Sequence, residues 1–439
     1  MKVMKFGGTS VGRPERMHQV AELITADAEA KIVVLSALSG TTNALVEISM
    51  SLAANNRGDA KLQIDALQNH YNDFIGKLLT TEPALEKAAA IVTEHFEFLN
   101  IILRISFSEA LNKDILAQGE LLSTKLFCVY LQEKEIDHAF LPALEFMTID
   151  SYDEPQIGSI RVKLSQWLAK HQGKTIFVTQ GYISKNSRGE VDNLKRGGSD
   201  YSASLIAAAL HATACEIWTD IDGMHNNDPR VCEKTKPIEQ LSFEEAAELA
   251  YFGAKILHPA SIWPAQQYKI PVKLLNTMQP HAKGTLIVEE AGSKGVKAVA
   301  AKDGIISINI RSSRMLLAYG FLRKIFEVFE KYRTSIDMIT TSEVAVSVTI
   351  DNDISLKEIV KELEPFGTIT VESGLSIVSV VGNEIAETKD VLLKLFDCVK
   401  NIPVRMVSYG GSRHNVSLLL PSPYKKEALQ ALNKGVFGL

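Results

Sequence analysis

The chain has 439 residues, which is enough for about two to four domains of ordinary size. Hydrophobic residues make up 46% and charged residues 23%, a composition that excludes collagen-like, low-complexity and wholly disordered chains. The net charge of −5 argues against a protein that holds nucleic-acid phosphates with a basic face.

The sequence gives no sign of export or membrane insertion. Its first ten residues, MKVMKFGGTS, lack an apolar run of signal-peptide length, and no window offers about 18 uninterrupted apolar residues. The four cysteines are scattered without metal-like spacing, which is typical of free thiols in a reducing compartment. We therefore expect a cytoplasmic protein without a membrane segment.

Residues 1–290 alternate short apolar strands with long helical patterns. The predicted strands are Lys2–Phe6, Lys31–Leu35, Ala139–Leu141, Thr175–Thr179, Glu216–Thr219 and Val272–Asn276. Helices are predicted from Pro14 to Asp27 and over most of 41–133, with breaks at 55–58 and 81–83. This alternation predicts an α/β fold with a mainly parallel sheet sandwiched by helices. Ligands of such sheets bind at the carboxyl ends of the strands, so the loops there are the candidate sites.

From residue 291 the pattern changes to β-α-β-β-α-β followed by β-α-β-β-α, a repeated ferredoxin-like unit. The predicted strands are Val296–Ala301, Ile305–Ile310, Ile336–Thr340, Val344–Ile350, Thr368–Glu372, Ser376–Val381, Val404–Val407 and Val416–Leu420. The predicted helices are Phe321–Tyr332, Ser355–Glu364, Glu387–Val399 and Lys425–Lys434. Because the second copy lacks its last strand, we expect the unassigned strand at 296–301 to complete it. One unit, about 304–373, is then inserted in the other, about 295–303 plus 374–439, and the domains are 1–290 and 291–439.

Two glycine-containing turns follow the first two strands. Lys5 and the pair Gly7-Gly8 precede a helix start, an arrangement that suits phosphate binding but is also common as a mere connection. Ser36 to Asn43, with Gly40 and several hydroxyls, fits a carboxylate or phosphate; helix capping by Ser39 or Thr41 is the simpler alternative for this segment alone.

A third cluster, Lys195 to Asp200, combines a guanidinium, two glycines, a hydroxyl and a carboxylate at a helix start. Arg196 suits bidentate binding of a carboxylate, and Asp200 suits orienting a lysine or approaching a metal. The alternative is an N-cap by Ser199 or Asp200 after a flexible turn. Pairing of Arg with Gly-Gly at a helix start favours function.

Two further segments suit a nucleotide. The loop 218–230 carries Asp220, Asp222, Asp228 and Arg230 after a strand, although Asp-Gly and Asp-Pro also punctuate turns and three acids also fit a metal. Lys255, at a helix break, suits nucleotide phosphates. Glu120, by contrast, looks like a solvated charge on a long helix. This inventory fits phosphoryl transfer, which needs no general base if the acceptor is already a carboxylate.

These clusters, in this order and spacing, resemble the aspartate kinases of the amino acid kinase superfamily. Lys5 to Val11 resembles that family's KFGGTSV signature, and the repeated C-terminal units resemble paired ACT domains. The resemblance implies ATP-dependent phosphorylation of the side-chain carboxylate of L-aspartate to 4-phospho-L-aspartate. That reaction opens the biosynthesis of lysine, threonine and methionine.

The resemblance also implies residue roles. It implies catalysis by Lys5, Asp200 and Arg196, and aspartate binding by Ser36, Thr42, Glu120 and Arg196. It implies ATP binding by Lys5, Gly7, Gly8, Thr219, Asp220, His225, Arg230, Lys255 and Ile256, with His225 where an aromatic Tyr is typical. Mg²⁺ is expected to bridge the phosphates of ATP, without a dedicated metal site on the protein.

Residues 315–321 and 335–343 are similar to the effector pocket of single-function, lysine-sensitive aspartate kinases. The implied effector contacts are Met315, Ala318, Phe321, Ser335, Ile336, Asp337 and Ser342. Ala318 replaces a serine expected there, and Asp337 is the natural partner for an effector amino group, the alternative being a strand-end acid facing water. L-lysine is the expected inhibitor, and a homodimer or dimer of dimers through the ACT units is the expected assembly.

Other functions are compatible with parts of the pattern. Kinases of the same superfamily that act on glutamate, N-acetylglutamate, carbamate or UMP are the nearest alternatives. A catalytically silent amino-acid sensor is an alternative of a different class, although Lys5 and Asp200 are both present. The absence of a dinucleotide fingerprint and the length of the chain predict that no homoserine dehydrogenase is fused to it.

Overall fold

The computed structural model describes residues 1–194, 197–253, 257–292, 294–312 and 319–439. They form two compact units. The first contains 1–224, 239–243 and 257–290, and the second contains 225–238, 244–256 and 291–439. Two short segments from the predicted first domain thus belong to the second unit.

The first unit is built on an eight-stranded sheet. Its strands are β1 Lys2–Phe6, β2 Lys31–Leu35, β3 Ala139–Phe140, β4 Ile176–Gln180, β7 Cys215–Thr219, β8 Gln240–Ser242, β9 Val272–Asn276 and β10 Thr285–Val288. They lie in the order β3-β4-β2-β1-β7-β9-β10-β8, and the only antiparallel neighbours among them are β9 and β10. The hairpin β5 Ile183–Lys185 and β6 Val191–Asn193 stands apart. The mainly parallel sheet predicted from the sequence is confirmed.

Helices fill the connections between these strands. They are α1 Gly8–Val11, α2 Pro14–Thr25, α3 Thr41–Ala53, α4 Arg57–Leu78, α5 Glu82–Ile102, α6 Glu109–Glu133, α7 Ala143–Phe146, α8 Ile157–Lys170, α9 Gly198–Leu210, α10 Phe243–Tyr251 and α11 Trp263–Gln267. All five residues of β2 are buried, since helices cover both faces of a central parallel strand. Met4, Phe6 and Val33 point to the core that α2 to α6 complete. Helix α10 belongs to the second unit from residue 244 onward.

The second unit contains a six-stranded antiparallel sheet. Its strands are β11 Gly295–Arg311, β12 Ile339–Thr341, β13 Ala345–Ile350, β14 Thr368–Asn383, β15 Met406–Tyr409 and β16 Asn415–Pro421. Its helices, besides α10, are α12 Phe321–Lys331, α13 Leu356–Leu363, α14 Val391–Cys398 and α15 Lys425–Phe437. The sheet order is β12-β13-β11-β14-β16-β15.

This order contains two ferredoxin-like units that share their central strands. The outer half of the sheet around β12 and β13 uses the second half of β11 and the first half of β14. The other half uses the remaining parts, so that residues 295–302 supply the strand missing from the second copy. The predicted insertion of one unit in the other is therefore what the topology shows.

The sequence expectation of four short central strands is wrong in one respect. The predicted strands at 296–301 and 305–310 form one strand, as do those at 368–372 and 376–381. The turn signals between them, Asp303-Gly304 and Ser373-Gly374, produce only register shifts in the pairing of β11 with β14. No helix among the described residues has the length and apolar character needed to cross a membrane.

Candidate active site

The residues predicted to handle phosphate meet at the carboxyl ends of the parallel strands. Lys5, near the end of β1, places its Nζ 2.6 Å from Oδ1 of Asp200 in the first turn of α9. Both side chains are mostly buried, with 11% and 15% of their surface exposed. The fold thus joins two charges that are far apart in the sequence, as the predicted catalytic pair requires.

Glycines let the loops around this pair approach one another. A Cβ on Gly7 would lie 3.3 Å from the Lys5 ammonium, and one on Gly8 would lie 3.1 Å from the carbonyl oxygen of Ala37. The Gly7 N–H donates to the Trp218 carbonyl at 3.3 Å, so this amide already has a partner within the protein. Its role toward a ligand, and that of Gly8, stay predictions.

Glu120 is buried, whereas the helical pattern around it indicates a solvated charge. Its side chain lies within α6 and the residue is 4% exposed. One carboxylate oxygen accepts the N–H of Ala37 at 3.2 Å, and the other is buried without a hydrogen-bond partner among the described residues. Burial raises the pKa of Glu120 to about 7. A cation at the second oxygen would stabilise the ionised form.

The loop after β2 is held against α6 by a close approach. A Cβ on Gly119 would lie 2.7 Å from the Cβ of Ala37, so only glycine leaves room for the loop that donates to Glu120. Ser36 is half-buried and engages its main chain, accepting from Ser123 Oγ at 2.8 Å. Thr42 is exposed in the first turn of α3. Ser36 and Thr42, both predicted to bind aspartate, therefore flank the loop after β2 whose Ala37 N–H donates to Glu120.

The capping alternatives suggested by the sequence are wrong for both helix starts. Helix α3 begins after Gly40, whose φ is 85°, and the Thr41 hydroxyl pairs with Tyr71 at 3.0 Å. Helix α9 begins after Gly197, whose φ is 70°, and no side-chain cap precedes it among the described residues. A Cβ on Gly197 would lie 2.5 Å from that of Ser261. Arg196, the predicted α-carboxylate ligand and a predicted catalytic residue, lies outside the described residues.

Tyr182, which no sequence pattern singles out, also borders this site. It follows β4 with a φ of 65°, a conformation that costs a non-glycine residue about 1–3 kcal/mol. Its backbone is fixed by the Ser202 hydroxyl on α9, which accepts its N–H at 2.8 Å, and by the N–H of Leu194, which donates to its carbonyl at 2.7 Å. Burial and the nearby charge of Glu120 raise the pKa of its phenol. The positive φ, the hydrogen bonds and the burial that mark this residue all depend on the fold, so the sequence does not reveal it.

Strand β7 ends beside β1 with two of the predicted nucleotide residues. Thr219 accepts the N–H of Ile221 with its hydroxyl at 3.1 Å, and Asp220 is exposed. Ser10 and Thr277 share a hydrogen bond of 2.7 Å, which ties helix α1 to the residue that follows β9. The first unit thus brings Thr219 and Asp220 to the sheet edge that carries Lys5.

His225 and Arg230, the next predicted nucleotide residues, belong to the second unit. His225 Nδ1 lies 2.8 Å from the Thr235 hydroxyl. The guanidinium of Arg230 donates to both carboxylate oxygens of Asp228, at 3.0 and 2.8 Å, while the arginine is exposed. Within the described part of the chain, no group of three or more His, Cys, Asp or Glu side chains is arranged to hold a metal. Lys255 and Ile256 lie outside the described residues.

The predicted effector residues that are described lie in or beside the first ACT unit. Phe321 is the first residue of α12 and is buried in the hydrophobic core of the first ACT unit, and Ile336 packs against that core. Ser335 is exposed, and the Ser342 hydroxyl accepts the N–H of Val344 at 3.4 Å. Met315 and Ala318 lie outside the described residues.

Asp337 does not face water, contrary to the alternative considered for it. Its side chain is 1% exposed, and strand β12 begins only two residues later. One oxygen accepts from Lys302 Nζ at 2.7 Å and from the Tyr251 hydroxyl at 2.5 Å. The other is buried without a hydrogen-bond partner among the described residues.

A mainly parallel sheet with a lysine–aspartate pair at its strand ends, followed by paired ferredoxin-like units, is the arrangement expected of a small-molecule kinase with a regulatory region. Comparisons with known proteins agree. Residues 1–276 match the model of the amino acid kinase family, and residues 378–436 match that of the ACT domain.

Individual relatives narrow the class. The chain is 33% identical to lysine-sensitive aspartokinase 3 of Escherichia coli K12 over 99% of both chains, and 33% identical to chloroplastic aspartokinase 1 of Arabidopsis thaliana over 99% of this chain and 80% of that one. A crystal structure of E. coli aspartokinase III in complex with aspartate and ADP matches all of both chains with a TM-score of 0.84 and 32% identity. A structure of the same enzyme with lysine and aspartate matches with a TM-score of 0.83 at 32% identity, over 100% of this chain and 99% of that one. The chain therefore belongs to the aspartokinases of the amino acid kinase family.

Proposed function

We propose that this protein transfers the γ-phosphoryl group of ATP to the side-chain carboxylate of L-aspartate, giving 4-phospho-L-aspartate and ADP. The observation that carries the proposal is the pairing of Lys5 with Asp200 at the strand ends, close enough to Glu120 of α6 for the charge of Lys5 to act on it. Glu120 is buried, and one of its carboxylate oxygens has no hydrogen-bond partner among the described residues. Residues 1–290 form the proposed catalytic domain, and 291–439 the regulatory region.

In this reaction a carboxylate oxygen of aspartate attacks the γ-phosphorus, and the bond between that phosphorus and the bridging oxygen of ADP breaks. The acceptor is already ionised at neutral pH, so no general base is needed. Lys5 neutralises charge on the phosphoryl oxygens in the transition state, and Asp200 fixes the position of its ammonium. The Lys5–Asp200 pair thus supplies electrostatic positioning and no proton transfer.

Glu120 suits the ammonium group of the substrate. Its second oxygen is buried without a described partner, so an ammonium there forms a charge-assisted hydrogen bond in a low-dielectric site. Ser36 and Thr42 line the same loop, and we assign the α-carboxylate to Arg196 because its guanidinium matches that group bidentately.

The nucleotide residues in this proposal are Lys5, Gly7, Gly8, Thr219, Asp220, His225, Arg230, Lys255 and Ile256. The substrate is MgATP, because Mg²⁺ in kinases is held largely by phosphate oxygens and water. Asp200 is paired with Lys5 and Asp228 with Arg230, so both carboxylates already have a cationic partner.

We further propose that L-lysine inhibits the enzyme through the ACT units. The E. coli relative is named lysine-sensitive, and one of its crystal structures contains lysine. The proposed effector residues are those implied by the resemblance, from Met315 to Ser342, with Asp337 as the acid for an amino group. A cytoplasmic homodimer or dimer of dimers, acting in lysine, threonine and methionine biosynthesis, completes the proposal.

Kinases for glutamate or N-acetylglutamate remain the second candidate. The buried carboxylate of Glu120, with one oxygen that has no partner in the described part of the chain, favours a substrate with a free ammonium, which N-acetylglutamate lacks. The deciding experiment is steady-state ADP release from MgATP with L-aspartate, L-glutamate or N-acetyl-L-glutamate, each with and without L-lysine. Aspartate-specific turnover supports the proposal. Turnover with glutamate alone, or none with any acceptor, overturns it, and the latter outcome favours a silent amino-acid sensor.

A further inference from the structure

The proposed effector acid is already occupied by the protein's own ammonium group. Asp337 Oδ1 accepts from Lys302 Nζ at 2.7 Å, and the same ammonium lies 2.9 Å from Asp351 Oδ2. Burial disfavours the charged form of Lys302, but the two carboxylates outweigh it and raise the pKa of this lysine. One cation therefore serves two carboxylates, and Asp337 keeps one buried oxygen unpartnered among the described residues.

A tyrosine covers the same carboxylate. The hydroxyl of Tyr251 donates to Asp337 Oδ1 at 2.5 Å, and the Lys302 ammonium lies 4.3 Å from the centre of the tyrosine ring. Burial and the bond to Asp337 raise the pKa of Tyr251 to about 12, so the phenol is a donor at every physiological pH. With Asp337 1% exposed, Lys302 or Tyr251 has to move before a ligand can reach it.

Tyr251 is the last residue of α10, which is fixed to the ACT sheet along its length. Glu245 pairs with Lys297 of β11 at 3.0 Å, and both side chains are almost fully buried. Glu248 accepts from Asn415 of β16 at 2.8 Å. The chain continues from Tyr251 into Phe252-Gly253 and then to Lys255 and Ile256, which are proposed nucleotide residues. Helix α10 thus connects the effector acid to that segment along the backbone.

We propose that Lys302 is an internal competitor of the effector at Asp337, and that Tyr251 relays the exchange to α10. The inference rests on the proposed lysine regulation. A ligand ammonium at the unpartnered oxygen of Asp337 places a second cation next to Lys302. Lys302 then breaks its ion pair with Asp337 and retains the one with Asp351. Each buried charge therefore still has a partner of opposite sign.

The relay follows from the same exchange. Oδ1 of Asp337 holds two donors in the closed arrangement, which uses both of its lone-pair directions. Movement of Lys302 also removes the cation from the ring of Tyr251. The position of Tyr251, and with it the end of α10, therefore differs between the free and the ligand-bound protein.

Two variants of the full chain test the two halves of the inference. Lys302→Met removes the competing ammonium at similar length, and Lys331→Met is its control, because Lys331 pairs with Glu362 in the same unit. Tyr251→Phe removes only the hydroxyl, and Tyr332→Phe is its control, because that hydroxyl donates to Glu362 at 2.6 Å. L-lysine binding is measured by calorimetry, and aspartate-dependent ADP release is measured with and without L-lysine.

We expect Lys302→Met to bind L-lysine about tenfold more tightly than the unmodified chain, with Lys331→Met unchanged. Lys302→Arg retains the cation and keeps the test valid if the Met variant folds poorly. The guanidinium of the introduced arginine holds Asp337 more firmly than an ammonium does, so the Lys302→Arg variant should bind L-lysine more weakly. Equal affinity in the Met and Arg variants would overturn the exchange.

For Tyr251→Phe we expect turnover without L-lysine within about twofold of the unmodified chain, retained L-lysine binding, and less than half of the normal inhibition at saturating L-lysine. Full inhibition in this variant would overturn the relay. Absence of aspartate-dependent turnover in the unmodified chain and in all variants would overturn the proposed function. The calorimetric measurement of L-lysine binding would still test the exchange at Asp337. Absence of L-lysine binding to the unmodified chain would overturn the inference and leave the kinase activity to its own assay.

Discussion

Glu120 in the first unit and Asp337 in the second are both buried carboxylates, but they differ in the partners that the protein itself supplies. One oxygen of Glu120 accepts the N–H of Ala37, and the other has no hydrogen-bond partner among the described residues. Asp337 also has one oxygen without a hydrogen-bond partner among the described residues, but its other oxygen already accepts from Lys302 and Tyr251. Within the described residues Glu120 forms no ion pair, whereas Asp337 is already paired with the ammonium of Lys302.

The difference matches the two tasks proposed for these sites. A carboxylate buried without a counter-ion is electrostatically costly, so a substrate ammonium gains the full benefit of relieving that cost. A carboxylate with an internal counter-ion gains less from the ligand, and part of the binding free energy goes into moving protein groups. Binding that is coupled to a movement of protein groups is what a regulatory site requires.

The largest effect is expected at Lys5, the lysine proposed to bind the phosphates of ATP. Lys5→Ala should lower turnover by about a thousandfold or more, because the transition-state charge loses its cation. Circular dichroism should show an intact fold. Lys2→Ala is the control, since Lys2 lies at the start of the same strand and pairs with Asp27. Near-normal turnover in folded Lys5→Ala would remove this residue from catalysis.

Glu120→Gln tests the open carboxylate. Loss of a charge-assisted hydrogen bond should raise the KM for aspartate by about 10–100-fold, since such bonds are worth about 1.5–3 kcal/mol. In the unmodified enzyme, the KM for aspartate should also rise as the pH falls below about 7, because protonated Glu120 no longer attracts an ammonium.

The same variant should be more stable than the unmodified chain. The pKa of Glu120 is raised in the folded protein, so its ionised form destabilises the fold at high pH, by about 3 kcal/mol at pH 8. Thermal unfolding at pH 8 should show a higher midpoint for Glu120→Gln, and the gain should vanish as the pH falls to about 4.5. A lower midpoint at pH 8 would contradict the assigned burial cost.

Asp337→Asn tests the occupied carboxylate. The amide keeps the shape but loses the charge, so the L-lysine concentration for half-inhibition should rise about tenfold. The measurement is a titration of aspartate-dependent turnover with L-lysine. Asp353→Asn, an exposed change in the same unit, is the control. Unchanged sensitivity in Asp337→Asn would place the effector site elsewhere.

The smallest effect is expected from Gly119→Ala, which acts on Glu120 through its neighbour. The added methyl group meets Ala37, so it should shift the loop that donates to Glu120, cost about 1–3 kcal/mol of stability and raise the KM for aspartate a few-fold. Gly76→Ala, in a helix with open space around it, should instead stabilise by about 0.5–1 kcal/mol. Equal stability of the two variants would contradict the close packing of α6 against the loop.

The sequence predicts those features that depend on local patterns. Strands Lys2–Phe6, Lys31–Leu35 and Val272–Asn276 have the predicted bounds, because each is a short apolar run between turn residues. The hairpin of β5 and β6 was not predicted, since three-residue strands show no usable periodicity. Lys5 and Asp200 are identified by motif, and the structure brings them together.

Features that depend on packing between distant segments could not be predicted. Glu120 looks solvated because helical periodicity does not show that α6 is buried on several sides. The pairing of Asp337 with Lys302 joins the segment just before β12 to the middle of β11, two segments that are 35 residues apart in the sequence. The sequence therefore identified these acids but not their partners.

The shared strands β11 and β14 have a consequence for how such a chain can be altered. They pair antiparallel, so the inserted ACT unit enters and leaves between Lys302 and Leu375, at neighbouring points of one ribbon. Excision of 304–373 would bring the cut ends together as an ordinary hairpin tip, and a foreign domain with adjacent termini could be placed there with little loop-closure entropy. Residues 304–373 could thus be exchanged without a cut in the other ACT unit, although Lys302 and Tyr251, the partners of Asp337, would stay behind.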